Sequence, residues 1–139
     1  MKLWICSGDM KAMYLNIPRK RAHNRVVKMW IDTYGKVLAD LVRDLLEVSD
    51  DYLFAEFQGR YFFQHGGLAM GVPAAPDVAQ LYCAFEESTA EQFKNDNILH
   101  YRRYIDDILV ILIAEDKTST MEQLKDLSFD LLEFIWEVD

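Results

Sequence analysis

Cysteine is nearly missing from this chain: Cys6 and Cys83 are the only two in 139 residues. They show no metal-ligand spacing and no framework of pairs, which excludes a disulfide-stapled secreted scaffold and favours a reducing, intracellular setting. Long apolar runs are missing as well. The longest, such as Ile108 to Ala114, fall far short of a bilayer span, and the apolar N-terminus meets Asp9 too soon for a signal-peptide core. No membrane association is expected. Three prolines and six glycines leave no linker or low-complexity tract, so a single globular domain over residues 1–139 is expected. Positive charge is also in short supply, with 15 Lys and Arg against 23 Asp and Glu, a net charge of -8. That balance argues against a free-standing nucleic-acid binder, which would carry a basic face. The bases are uneven, however. Arg19, Lys20, Arg21, Arg25 and Lys28 cluster, and Arg102 and Arg103 directly precede two acids. The first cluster reads equally as a solvated helix start and as a phosphate-contacting patch.

What is abundant is apolar surface, 51% of residues, enough for one core. Residues 2–6 read as a short strand with Asp9 at or near its exit, and Pro18 closes the segment that Asp9 heads. Val26, Val27, Trp30, Ile31 and Tyr34 recur at helical spacing. The periodicity resumes at Val37 and runs to about Val48, after a break at Gly35. Residues 51–65 form two aromatic runs around Gln58-Gly59, a hairpin. A glycine-rich loop, Gly66 to Pro73, leads into a helix over Ala74 to Phe93, and it matches neither a P-loop nor a dinucleotide fingerprint. Ser119 to Leu132 reads as a helix capped by Thr118 or Ser119, and Phe134 to Val138 as a strand start without a partner. The order predicts an α+β fold, helices on one face of a small antiparallel sheet.

The most informative stretch is Tyr104-Ile105-Asp106-Asp107, between the runs Ile98 to Tyr104 and Ile108 to Ile113. It predicts a tight hairpin with both acids at its turn. Neighbouring carboxylates repel, so a site that keeps them ionised calls for a cation, and oxygen-only ligands favour a hard ion such as Mg2+. Taken alone, the pair reads first as an ordinary Asp-Asp turn, and what favours the metal site lies upstream.

Three features in order, Asp9 at a strand end, the loop Ala69-Met70-Gly71-Val72-Pro73 entering a helix, and the Tyr-Ile-Asp-Asp box, resemble the palm domain of reverse transcriptases. The segment Asp9 to Pro18, with its Tyr-Leu-Asn-Ile-Pro ending, is most similar to Penelope-like retroelement enzymes. The resemblance runs from about residue 3 to about residue 138. Val72, Ala75 and Gln80 depart from the residues usual there. It implies a ferredoxin-like palm and an RNA-directed DNA polymerase, a nucleotidyltransferase working with Mg2+ or, as a substitute, Mn2+. Asp9, Asp106 and Asp107 would be catalytic and hold the metal, with the Met10 carbonyl as a further ligand. Tyr14 would exclude a ribose 2′-hydroxyl, or else be a core aromatic, while Gly71 and Pro73 would shape the nucleotide-facing loop. The implied partners are an RNA or DNA template with primer and deoxynucleoside triphosphates. Fingers and thumb would come from a separate chain or a longer reading frame. Two rival readings are an RNA-dependent RNA polymerase palm and an inactive retroelement remnant serving as a scaffold or interaction module.

Overall fold

Alternating burial builds the first strand of the computed structural model, which describes residues 1–139. In β1, Lys2–Met10, the residues Cys6, Gly8 and Met10 turn to a buried face and Ile5, Ser7 and Asp9 to an open one. Its neighbours are β4 (Ile98–Tyr104), β5 (Asp107–Ala114) and β6 (Phe134–Val138). They form one antiparallel sheet in the order β4-β5-β1-β6, so β1, first in sequence, lies inside the sheet. The expectation that Phe134 to Val138 lacks a partner is therefore corrected. Its partner is the most distant strand in sequence, Met10 opposite Phe134 and Cys6 opposite Val138, which no local pattern signals. The coarse α+β fold with a small antiparallel sheet is as expected.

The chain divides into two compact units, Met1–Met13 with Glu86–Asp139, and Tyr14–Phe85. The first holds the four-stranded sheet. Ile108, Val110 and Leu112 of β5 and Val138 of β6 are buried on one face, where α5 (Lys117–Asp126) lies against β5 and β6. The open face carries Leu3, Ile5 and Leu109, all exposed, and ends at Asp9 and Asp107. Gly8 is demanded by packing: an added Cβ would sit 2.5 Å from the ring of its cross-strand partner Trp136.

Helix α5 differs from the expected Ser119 to Leu132. Asp116 caps it, its carboxylate accepting from the Ser119 N–H while the Ser119 hydroxyl accepts from the Asp116 N–H, a reciprocal box that fixes the start two residues early. The helix stops at Asp126 because the next apolar residues are used differently: Leu127, Phe129 and Leu132 are buried, and Phe129 bridges to Leu132 with Leu131 at φ 69.

The second unit contains α1 (Met13–Asn16, beginning one residue before it), α2 (Arg19–Tyr34), α3 (Lys36–Asp50), the hairpin β2–β3 (Phe54–Phe57 and Arg60–Phe63) and most of α4 (Ala75–Thr89). Gly35, at φ 86, separates α2 from α3 as its position predicts. Gln58 and Gly59 both take positive φ, the two-residue turn whose twist matches a hairpin. Helix α4 is shorter than the expected Ala74 to Phe93. It ends at Thr89, and a single 3-10 turn, Glu91–Lys94, follows. Phe93 keeps its apolar role outside the helix, with its ring 5.0 Å from that of Tyr101 and 5.5 Å from that of Phe129.

Candidate metal centre

The antiparallel register puts Asp9 directly opposite Asp107 on the open face. Like charges in that relation destabilise a sheet, so the pairing is anomalous unless something positive comes between them. Asp106 joins them from the β4–β5 turn. One carboxylate oxygen from each of Asp9, Asp106 and Asp107 lies within 4.8 Å of the others. An octahedral Mg2+ with bonds of about 2.1 Å separates opposite ligand oxygens by about 4.2 Å, so small side-chain rotations bring the three donors onto one ion. Hard carboxylate donors with no nitrogen or sulfur suit Mg2+ or Mn2+. The three carboxylates could hold such an ion.

The turn itself is one residue off the expected position. Tyr104 pairs with Asp107, which makes Ile105 and Asp106 its central residues and hands Asp107 to β5. The two acids are thus held differently, one on the tip and one on a ladder position. Ile105 sits at φ 58, a left-handed conformation costly for a β-branched side chain and usually left to glycine at this position. Two hydrogen bonds hold it. The Met10 N–H donates to the Asp106 carbonyl (3.0 Å), and the Arg103 guanidinium donates to the Ile105 carbonyl (3.0 Å). Arg103 is fixed in turn by Glu87 of α4, Nε to Oε1 at 2.6 Å and a second nitrogen to Oε2 at 3.2 Å, and the Tyr101 hydroxyl donates to the same Oε1 at 2.8 Å. Its side chain is only 7% exposed.

This brace commits Arg103 to supporting the turn. Arg19, in the first basic cluster, is engaged internally as well. It spans the carbonyls of Gln64 and His65 and the carboxylate of Asp50, tying α2 to the loop after β3 and to α3. Arg25 stacks on Phe85 with 4.1 Å from guanidinium to ring centroid. Lys20, Arg21 and Lys28 are the exposed members of that cluster.

An open cleft of about 230 Å³ adjoins the acids, lined by Ser7, Gly8, Asp9, Asp107, Ile135 and Glu137. Glu137 and the exposed Tyr104, cross-strand partner of Asp107, belong to this surface, yet sequence reasoning assigned neither a role. Their signal was strand parity. Both share the open-face register with the acids.

Of the remaining expected site residues, Tyr14, Gly71 and Pro73 lie in the second unit. Tyr14 is half-buried on α1, and its carbonyl accepts from the Leu68 N–H at 2.7 Å. Gly71 takes φ 95 in the loop before α4 with open space where a Cβ would be, and Pro73 follows two residues on. The glycine against which backbone closes is Gly67 instead: a Cβ there would meet the Leu15 carbonyl oxygen at 2.6 Å. Met10, the expected carbonyl ligand, is the last residue of β1, beside Asp9. Compared with known protein families and with curated proteins, the sequence matches none of either. No helix is long and apolar enough to cross a membrane.

Proposed function

We propose that this chain is a reverse transcriptase palm, most similar to the Penelope-like type, catalysing template-directed addition of deoxynucleotides. One observation carries the reading: Asp9, far from the Tyr-Ile-Asp-Asp box in sequence, shares an oxygen cluster with Asp106 and Asp107. The strand order β4-β5-β1-β6, with helices between β1 and β4 and between β5 and β6, supports the ferredoxin-like palm this requires. Asp9 and Asp106 hold the divalent ions, Asp107 supports them, and the Met10 carbonyl completes the set. When bound, two ions supply an activated 3′-oxygen and charge neutralisation on the leaving pyrophosphate. The protein's part is positioning. The hydrogen-bonded turn holds Asp106 in place, and the exposed ring of Tyr104 offers a stacking surface beside it. Tyr14 would exclude a ribose 2′-hydroxyl, and Gly71 and Pro73 would shape the nucleotide-facing loop, as the resemblance implies. The substrates are a primed RNA or DNA template and deoxynucleoside triphosphates, with Mn2+ able to replace Mg2+, and fingers and thumb complete the enzyme.

Mn2+ titration followed by water-proton relaxation tests this on the intact chain. Saturable binding, lost in Asp9→Asn and in Asp106→Asn variants that keep their circular dichroism, is expected. Absent or mutation-indifferent binding would sink the polymerase reading and leave the scaffold reading, which needs no ion.

A further inference from the structure

Helix α3 is apolar on two sides. Ala39 and Leu46 are buried within its own unit and fasten the helix there. Leu38, Leu41, Leu45 and Val48 form a second stripe, spaced three, four and three, which is the a/d seam of a coiled coil. All four are exposed, from 46% at Leu38 to 61% at Leu45. A surface helix normally presents polar residues on its outer face, and a seam of this regularity has the spacing that packs against another helix.

Charge decides what covers it. The g positions beside the seam are Val37, Asp44 and Asp51, the e positions Val42 and Ser49, so the flanks hold acids and no base. The helix has two bases, Lys36 and Arg43, and both are engaged by Asp40, whose carboxyl is held below its usual range chiefly by the Lys36 hydrogen bond and then by Arg43. The last turns carry Asp44, Glu47 and Asp50, with Asp51 as cap, and no base in the last turn. Acids at a helix C-terminus oppose the macrodipole, a local rule broken with no compensation on α3 itself. A second copy of α3 would set Asp44 against the partner's own acids if antiparallel and against Ser49 if parallel, and in neither arrangement would it meet a base. Nucleic acid and anionic lipid are repelled by the same groups.

We propose that the outer seam of α3 docks an amphipathic helix of a partner protein, apolar at its own a and d positions and flanked by lysine or arginine. Leu41 and Leu45 form the centre of the contact, Asp44 and Asp51 its charged margin. This surface is independent of the metal centre and of the polymerase reading.

The test uses the intact chain and a fluorescent synthetic three-heptad helix with leucine at a and d and lysine at e and g, followed by anisotropy. A matched peptide with glutamate at e and g is the comparison. Leu41→Gln/Leu45→Gln replaces exposed leucines with good helix formers, so the fold persists, as circular dichroism checks. The lysine peptide should bind in preference to the glutamate one, lose about tenfold or more in affinity to the double variant, and weaken as salt rises. Asp44→Asn/Asp51→Asn should flatten that salt dependence. Affinity indifferent to the leucine change would reduce binding to attraction by net charge and overturn the proposal. So would equal binding of the glutamate peptide. A concentration-dependent dimer in sedimentation, dissolved by the leucine change, would make a second copy the occupant and overturn it too.

Discussion

Single side chains and glycines here do work that their type alone does not announce. His23, on α2, is half-buried with Nδ1 3.5 Å from the Asp50 carboxylate. Burial lowers its pKa, outweighing the opposing pull of Asp50, while Arg19 lowers it further and Glu47 acts with Asp50. The folded state therefore binds the proton less readily than the unfolded chain. Stability is fully present above the unfolded value of 6.5 and declines as pH falls from there toward the lower folded pKa. Denaturant midpoints at about pH 7.5 and about pH 5.5 should fall with acidification in the parent and fall less in His23→Gln; equal slopes would refute the linkage. Two glycines make a second contrast. Gly59→Ala meets only the strain of a positive φ, about 1 kcal/mol, because nothing lies near its Cβ. Gly67→Ala adds collision with the Leu15 backbone and should cost roughly 3 kcal/mol or more in a urea melt. Parity losses for the two variants would mean that the loop at Gly67 yields freely. The glycine-rich loop was legible, but which glycine is pressed against backbone was not, since the partner, Leu15, is set by tertiary folding alone.

Among elements, the β4–β5 hairpin shows where sequence reading succeeds and where it slips. Its existence follows from apolar runs on both sides of two acids, but polarity does not reveal where the ladder ends. Hydrogen bonding keeps Asp107 in β5 and makes Ile105 turn, against its own preference. The brace responsible, Glu87 to Arg103 to the Ile105 carbonyl, joins the last turns of α4 to the turn through residues that periodicity treats as ordinary surface charges. Arg103→Met strands a largely buried carboxylate and should cost roughly 3 kcal/mol. The pair Arg103→Met/Glu87→Met should cost less than that single change, measured by thermal melts in a double-mutant cycle. Both should weaken Mn2+ binding, because the turn that aims Asp106 loosens. A single variant as stable as the parent would show that Arg103 is not a brace. Helices α4 and α5 were legible in place but not in length. Phe93, Phe129 and Leu132 continue an apolar pattern whose last members pack outside any helix.

For the whole molecule, charge sets the expectation. With a net charge of -8, and with Arg19, Arg25 and Arg103 occupied internally, the 23 acids far outweigh the bases left to neutralise phosphates. The isolated chain should not extend a primer at a useful rate with Mg2+ or Mn2+, and any duplex binding should fade steeply with salt. On the proposed palm reading, a fusion that adds basic fingers and a thumb should extend the primer only while Asp106 is intact; robust extension by the isolated chain would refute this. The pairing of Asp9 with Asp107 reaches further. Repulsion across β1–β5 is present only in the folded sheet, so a divalent ion held there would also be a folding ligand, and its mass action would appear as stability. At about a hundred times its dissociation constant, an ion bound only by the folded state adds about 2.7 kcal/mol. The melting temperature of this chain should thus report divalent-ion concentration, rising with Mn2+ and falling back with a chelator, without any substrate present.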